Sequence, residues 1–374
     1  MSESSGFDGL VRSLFKVKDY YSTEDGGGEY TVAYEEGSRA AFKELYRKVQ
    51  PLGYTPRLFG TRDDASLTVL KTAPAPSPAP RASFFLAMLT IVAILGAGVA
   101  VGLLYAQDFG GSDILYGASF VLGIAVILLA RDLVQRYFAR RAGSPTTLHY
   151  YLPNIPVFLA LPILYFMPTF GSVTFVRSPA YDRDALFDFY FWGAIAAVGV
   201  TMVVALAGVP STIVLTQAQY AASGVVALSH GPSTLQNLAG TIMSALNLSP
   251  SVPVGGYAIS SPLSAAAWVG FLLSLVTLMP AALFDGGRMA TLVLGTRGSR
   301  ITTLVTAFAL VAIDPPNYWV IFLVIFLLAA IQPSNDTLDS LSGISLSRKG
   351  LFVLAMLLVL LCIPVPQTFF TFSV

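Results

Sequence analysis

The chain has 374 residues, of which 55% are hydrophobic and only 11% charged, with a mean hydropathy of +0.68 and a formal net charge of +1. Charge this sparse excludes an ordinary soluble domain and makes a protein that crosses the bilayer several times the default class. The near-neutral balance gives no footing for a nucleic-acid partner, and the single cysteine, Cys362, excludes a disulfide framework or a cysteine-rich zinc site.

Charge is unevenly spread. Residues 1–72 hold 21 of the 43 charged side chains, which predicts a small cytoplasmic α+β domain ahead of a membrane domain. Within it Glu29–Glu35 reads as a strand and Gly37–Gln50 as an amphipathic helix with Ala41, Phe42, Leu45 and Tyr46 apolar. Tyr54–Gly60 and Ser66–Thr72 read as two further strands bounded by turn residues. The polar, charged N-terminus shows no secretory signal. Residues 73–81 follow as a Pro-rich linker, stiff and extended.

Residues 82–374 form the predicted membrane domain. Ala82–Gln107 carries no charge and is long enough to span, since about 20 apolar residues cross the hydrocarbon core. Ile114–Tyr137 is a second span, interrupted by Arg131 and Asp132. Phe189–Val209 is a third, and Leu263–Phe284 a fourth that ends at Asp285. Ile301–Ile313 and Tyr318–Ile331 read as a helical hairpin around Asp314-Pro315-Pro316, and Gly350–Pro364 starts a last helix. The fold class is therefore an α-helical polytopic membrane protein with about six to seven transmembrane helices.

Basic residues set the orientation. Arg81 precedes the first span, Arg136, Arg140 and Arg141 follow the second, Arg288, Arg297 and Arg300 follow the fourth, and Arg348 and Lys349 precede the last. No Lys, Arg, Asp or Glu occurs from Val209 to Phe284. This pattern puts the N-terminal domain in the cytoplasm, the loop Pro210–Pro262 outside, and Arg131 and Asp285 at similar depth near the cytoplasmic ends of two helices. Ionisable groups inside a span cost about 2.5–3.5 kcal/mol on insertion scales and normally face a cavity or a partner. Arg131 and Gln135 share a helix face, and Asp132 is spaced to pair with Arg136. Tyr150, Tyr151, Tyr165 and Trp192 read as interface anchors, His149 as an interfacial histidine and His230 as a residue of the outer loop.

Four stretches in order carry a resemblance. Arg131-Asp-Leu-Val-Gln-Arg-Tyr-Phe-Ala-Arg-Arg-Ala-Gly143 resembles the helix on which site-2 proteases place H-E-x-x-H. Pro168-Thr-Phe-Gly-Ser172 is similar to their G-T-F-G-A segment, and Arg183–Asp188 with Gly193 to the start of the next core helix. Thr277-Leu-Met-Pro-Ala-Ala-Leu-Phe-Asp-Gly-Gly287 resembles N-x-x-P-x-x-x-L-D-G-G. The resemblance covers residues 82–370, suggests the archaeal branch with a cytoplasmic N-terminal domain, and implies a site-2-protease-like core with a membrane-associated β-hairpin over Met167–Val176. It implies that Thr169, Phe170, Gly171, Thr277 and Pro280 line a substrate or peptide site, open to binding by strand addition.

In that family two histidines and an aspartate hold zinc, and a glutamate is the general base. By position the ligands become Arg131, Gln135 and Asp285, and the base becomes Asp132. Only Asp285 is a competent zinc ligand, since an arginine offers no lone pair and a Gln carbonyl suits hard cations better. A catalytic zinc needs about three protein ligands, so no cofactor is expected. Arg131 supplies a fixed positive charge instead, and a structural Arg131–Asp285 ion pair, held bidentately, is predicted to tie the two helices together. The expected function is that of a catalytically inactive pseudoprotease in the cell membrane, which binds or escorts transmembrane protein or peptide segments. The alternative is an active intramembrane metalloendopeptidase with unorthodox zinc ligands, His149 with Asp132 and Asp285. A transporter is a third reading, disfavoured by the lack of an inverted repeat.

Overall fold

The computed structural model describes residues 4–22, 27–72, 80–143, 147–154, 167–176, 179–222, 230–281, 284–313 and 337–366. The N-terminal region forms α1 (Ser4–Leu14), β1 (Val17–Ser22), β2 (Gly28–Val32), α2 (Ser38–Val49), β3 (Tyr54–Gly60) and β4 (Ala65–Lys71). The four strands make one antiparallel sheet in the order β1-β2-β4-β3. Its inner face presents Tyr30, Val32, Leu58, Leu67 and Val69, and α2 covers that face with Phe42, Leu45 and Val49. The period-2 pattern of β2 to β4 is what made them legible. α1 and β1 are additions to the sequence reading, because β1 (Val-Lys-Asp-Tyr-Tyr-Ser) is a half-exposed edge strand without clean alternation. The predicted Pro-rich linker lies outside the described residues up to Ala79, and Pro80 and Arg81 already belong to the next helix.

That helix is α3 (Pro80–Phe109), followed by α4 (Asp113–Arg141). Strands β5 (Thr147–Pro153) and β6 (Thr169–Val176) pair antiparallel. α5 (Arg183–Gly208) starts on Asp182, whose carboxylate accepts from Ala185 N–H at 2.7 Å. A short strand β7 (Ile213–Leu215) and helix α6 (Gln217–Ala222) come next. β8 (His230–Ser233) and α7 (Thr234–Ala245) precede β9 (Tyr257–Ile259), which pairs with β7. α8 (Pro262–Leu278), α9 (Asp285–Ile313), α10 (Leu346–Cys362) and β10 (Pro364–Pro366) complete the described chain. Among the described residues three helices are long and apolar enough to cross a membrane, within Arg81–Phe109, Asp113–Arg141 and Arg183–Ser211. α8 is apolar but shorter, and almost every one of its side chains is buried by α4, α5 and α10.

Several expectations change. The hairpin expected over Met167–Val176 is instead a two-stranded sheet in which that stretch supplies one strand, β6, and Thr147–Pro153 the other. The fourth span does not run to Asp285. α8 stops at Leu278, where Pro280 cannot donate to the helix, and Asp285 opens a new helix, α9. Ile301–Ile313 is the second half of α9, which breaks at Gly295 (φ 75°). Tyr318–Ile331 and Tyr165 lie outside the described residues.

The two regions are in contact. Leu338, in the segment ahead of α10, completes the apolar core of the N-terminal domain, and its neighbour Asp339 forms a parallel bridge with Leu58 of β3.

Candidate functional site

Three elements converge on α4 near its C-terminal third. Successive side chains on one face of a strand are about 6.6 Å apart, and residues four apart on a helix about 6 Å, so a strand laid along a helix can match it residue for residue. β6 uses this match. Ser172 meets Arg131, and Thr174, two residues on, meets Gln135, four residues on. Their cross-strand partners on β5 are Tyr151 and His149. The sheet thus turns His149, Tyr151, Ser172 and Thr174 towards Arg131, Asp132 and Gln135, and α9 brings Asp285 from the other side.

At the centre, Arg131 Nη2 lies 2.7 Å from Asp285 Oδ2, and both side chains are about 4% exposed. Gln135 Nε2 donates to the same oxygen at 2.9 Å. The guanidinium does not straddle the carboxylate as the sequence reading had it. Its other contacts go to Ser172, with Nη2 donating to the backbone carbonyl at 3.1 Å and Nη1 to the hydroxyl. Two helices and a strand are therefore joined through one arginine. Asp285 at the first position of α9 also sits where the helix dipole favours negative charge. Gln135 is fixed at both ends, because its Oε1 accepts from Thr174 Oγ1 at 3.1 Å.

Asp132 is buried beside this centre, but its partner is not Arg136, which is exposed. The Tyr151 hydroxyl donates to Asp132 Oδ2, and His149 Nδ1 is 3.4 Å from Oδ1 and 3.2 Å from Thr174 Oγ1. His149 and Tyr151 are thus part of the polar cluster, not interfacial anchors. The signal in the sequence was a period-2 alternation, His149 and Tyr151 on one strand and Ser172 and Thr174 on the other.

The remaining expected residues sit in a second layer. Thr169 is buried and its hydroxyl donates to the Leu152 carbonyl at 2.8 Å. Gly171 lies against Thr277 of α8, with the space where a Cβ would stand 3.9 Å from Thr277 Oγ1. Phe170 packs partly buried on the membrane core, and the Pro280 carbonyl accepts from Thr303 at 3.3 Å. Arg288 is buried, with Nη1 3.2 Å from the Tyr190 hydroxyl and its guanidinium over the Tyr190 ring. Gly193 on α5 was noted only as part of a motif. Its role is close approach, since a Cβ there would stand 2.2 Å from Gln135 Cγ.

The model of peptidase family M50, the site-2 protease family, matches residues 80–313, more than half of the chain. The chain belongs to peptidase family M50. No curated protein and no solved structure matches it. The M50 match ends at the last residue of α9 and takes in every residue of the polar cluster. With its apolar helices it makes the chain a membrane protein.

A zinc ion does not fit Arg131, Gln135 and Asp285 as they are arranged here. Arg131 and Gln135 both present N–H donors to Asp285 Oδ2, and a guanidinium has no lone pair to give. Among the described residues no group of three or more His, Cys, Asp or Glu side chains is gathered to hold a metal ion.

Proposed function

We propose that this chain is a metal-independent member of the site-2 protease family, which binds transmembrane segments of other proteins and does not cut them. The observation that carries this reading is the 2.7 Å contact between Arg131 and Asp285. The arginine supplies a positive charge beside Asp285, and a guanidinium has no empty coordination site to take a water oxygen and acidify it as a metal ion does. The lone acid at the base position, Asp132, is engaged by Tyr151 and His149. A buried, hydrogen-bonded network of this kind acts as a structural tie between α4, β6 and α9.

The same reading assigns about six to seven spans and a cytoplasmic N-terminal domain. Its support is that the domain packs on the ends of α4 and α5 and on the segment before α10, which are the ends flanked by basic residues.

The rival reading, an active metalloprotease with His149, Asp132 and Asp285 as ligands, draws on the proximity of His149 to Asp132. Metal analysis of protein purified without chelator separates the two. We expect less than about a tenth of an equivalent of zinc, with no change on Asp285→Ala. About one equivalent, lost in Asp285→Ala, would overturn the proposal. A positive control is the triple substitution Arg131→His, Asp132→Glu and Gln135→His, which should bind zinc if the frame has kept its shape.

A further inference from the structure

The N-terminal domain touches the membrane domain at three places, and each is the end of an element that carries, or is tied to, the polar site. On α2, Arg39 Nη2 lies 2.9 Å from Asp182 and 2.8 Å from Asp184, at the start of α5. Also on α2, the Tyr46 hydroxyl donates to the Gly143 carbonyl at 3.1 Å, just past the end of α4. Burial raises the Tyr46 phenol above its ordinary range, so it stays a donor. Gly143 has φ +77°, and a Cβ on it would stand 2.2 Å from the Tyr46 hydroxyl, so this approach depends on the glycine.

The third place is a β-seam. Leu58 on the edge strand β3 donates to the Leu338 carbonyl at 2.8 Å and accepts from Ser340 N–H at 3.0 Å. On its other side the same segment donates from Leu338 and Asp339 to the carbonyls of Ala180 and Tyr181, at 2.9 and 3.0 Å. A short strand of the membrane domain is thus inserted between the edge of the N-terminal sheet and the residues that lead into α5. Leu338 fills a place in the domain's core. Beyond it, Ser345 N–H donates to Asp184 at 2.9 Å, and Arg348 Nη2 of α10 is 2.8 Å from Asp188. The ends of α4, α5 and α10 are thus tied to one another directly, Tyr181 N–H also donating to the Ala142 carbonyl at 3.2 Å, and one face of one small domain touches all three.

We propose that this face, made of Arg39, Tyr46, the β3 edge and the seat for Leu338, is a reversible latch whose partner is the rim of the chain's own membrane domain, and that the docked state keeps the polar site closed. The attachment is small enough to let go. It consists of a partly exposed arginine with two carboxylates, open to screening by salt, the Tyr46 hydroxyl on Gly143, Lys43 and the Tyr46 ring against Tyr181, two backbone hydrogen bonds and the Ser340 hydroxyl on Leu58, a Tyr34–Ser342 hydroxyl contact, and the Leu338 side chain with Leu341 beside it. The tether from Thr72 to Pro80 is only seven residues, which keeps the released domain close and its return fast. Gln135 sits about two turns from the clamped end of α4, pressed against Gly193 of α5. Letting the two ends part therefore acts directly on the Gln135–Gly193 contact and on the Asp285 carboxylate that Gln135 holds. The inference concerns the rim and stands whether the site binds or cuts.

The test uses the full chain in lipid nanodiscs, with the buried Cys362 replaced by alanine. Two nitroxide pairs are placed, Lys48→Cys with Leu346→Cys across the docking face, and Arg140→Cys with Leu346→Cys across the rim. Both distance distributions should be single and narrow, and Arg39→Glu should add a longer component to both. Ser340→Pro, which deletes one seam donor at an exposed residue, should do the same and carries the test if the charge reversal does not fold. The latch is overturned if the docking distance lengthens while the rim distance stays unchanged. It is equally overturned if neither substitution lengthens the docking distance.

Discussion

At the scale of single residues, the chemistry of this chain turns on one buried pair whose cation is built into a side chain. A buried carboxylate without a partner is expensive, and removing one member of a buried pair costs about 3–5 kcal/mol. We therefore expect Arg131→Asp and Asp285→Arg each to lower stability by about that amount, and the double exchange to recover a substantial part of it. Unfolding of the four proteins in a denaturing detergent titration provides the cycle. A double variant as unstable as the sum of the singles would mean that the 2.7 Å contact contributes no coupling. Recovery will be incomplete, because Ser172 and Gln135 are set to meet a guanidinium on α4 and a carboxylate on α9, and the exchange reverses both. Arg131, Gln135 and Asp285 were all legible in the sequence as polar groups inside apolar runs, at motif-like spacing. His149 and Tyr151 were not, because a histidine and a tyrosine just past a span look like interface residues until β5 is known to fold back along α3 with both side chains turned to Asp132.

At the scale of elements, the site depends on how closely α4, α5 and β6 approach one another. Gly193 sets the α4–α5 distance at the level of Gln135. Gly193→Ala should cost about 1–3 kcal/mol, the usual range for forcing extra volume into a packed interior, although alanine is the better helix former. A second substitution, Gln135→Ala, should relieve that cost by opening the space. If Gly193→Ala were neutral or stabilising by thermal unfolding, the close approach would not be limiting. The break between α8 and α9 belongs to this scale too. A continuous apolar run from Leu263 to Phe284 reads as one span, yet Pro280 ends the helix early and lets Asp285 begin a new one. Hydropathy alone could not show this, since Met279–Phe284 continues the apolar run past the point where α8 stops. What it changes is the direction from which Asp285 arrives, at a helix start where the dipole assists it.

At the scale of the whole molecule, the N-terminal domain is not a separate bead on a stalk. Its core takes in Leu338 from a distant part of the chain. Leu338→Ala removes a buried leucine from that core and should weaken the domain or its docking by about 2–5 kcal/mol. Limited proteolysis after residue 72 should then be faster than in the unsubstituted chain, and an unchanged rate would mean that the leucine seat is not needed. The seam that holds Leu338 joins residues about 280 positions apart in sequence, as the pairing of Leu58 with Asp339 shows. No local pattern announces such a contact. Thr337-Leu-Asp-Ser-Leu-Ser342 reads as a polar connection, and only the edge of β3 turns it into a strand.

Composition and hydropathy by themselves determined that this is a membrane protein with a charged domain at its head, because the bilayer demands long uncharged runs and water tolerates the rest. Short spaced motifs kept in order along the chain likewise disclosed the family. Tertiary structure alone decided which groups meet Arg131 and Asp132, where the fourth apolar run breaks, and that the head domain packs against the ends of α4 and α5. Those are matters of packing, in which a hydrogen-bond partner or an apolar seat is supplied by residues far away along the chain. The Arg131–Asp285 contact stands between the two. Its residues and their depth follow from sequence, while its geometry, one carboxylate oxygen shared by an arginine and a glutamine, follows only from the fold.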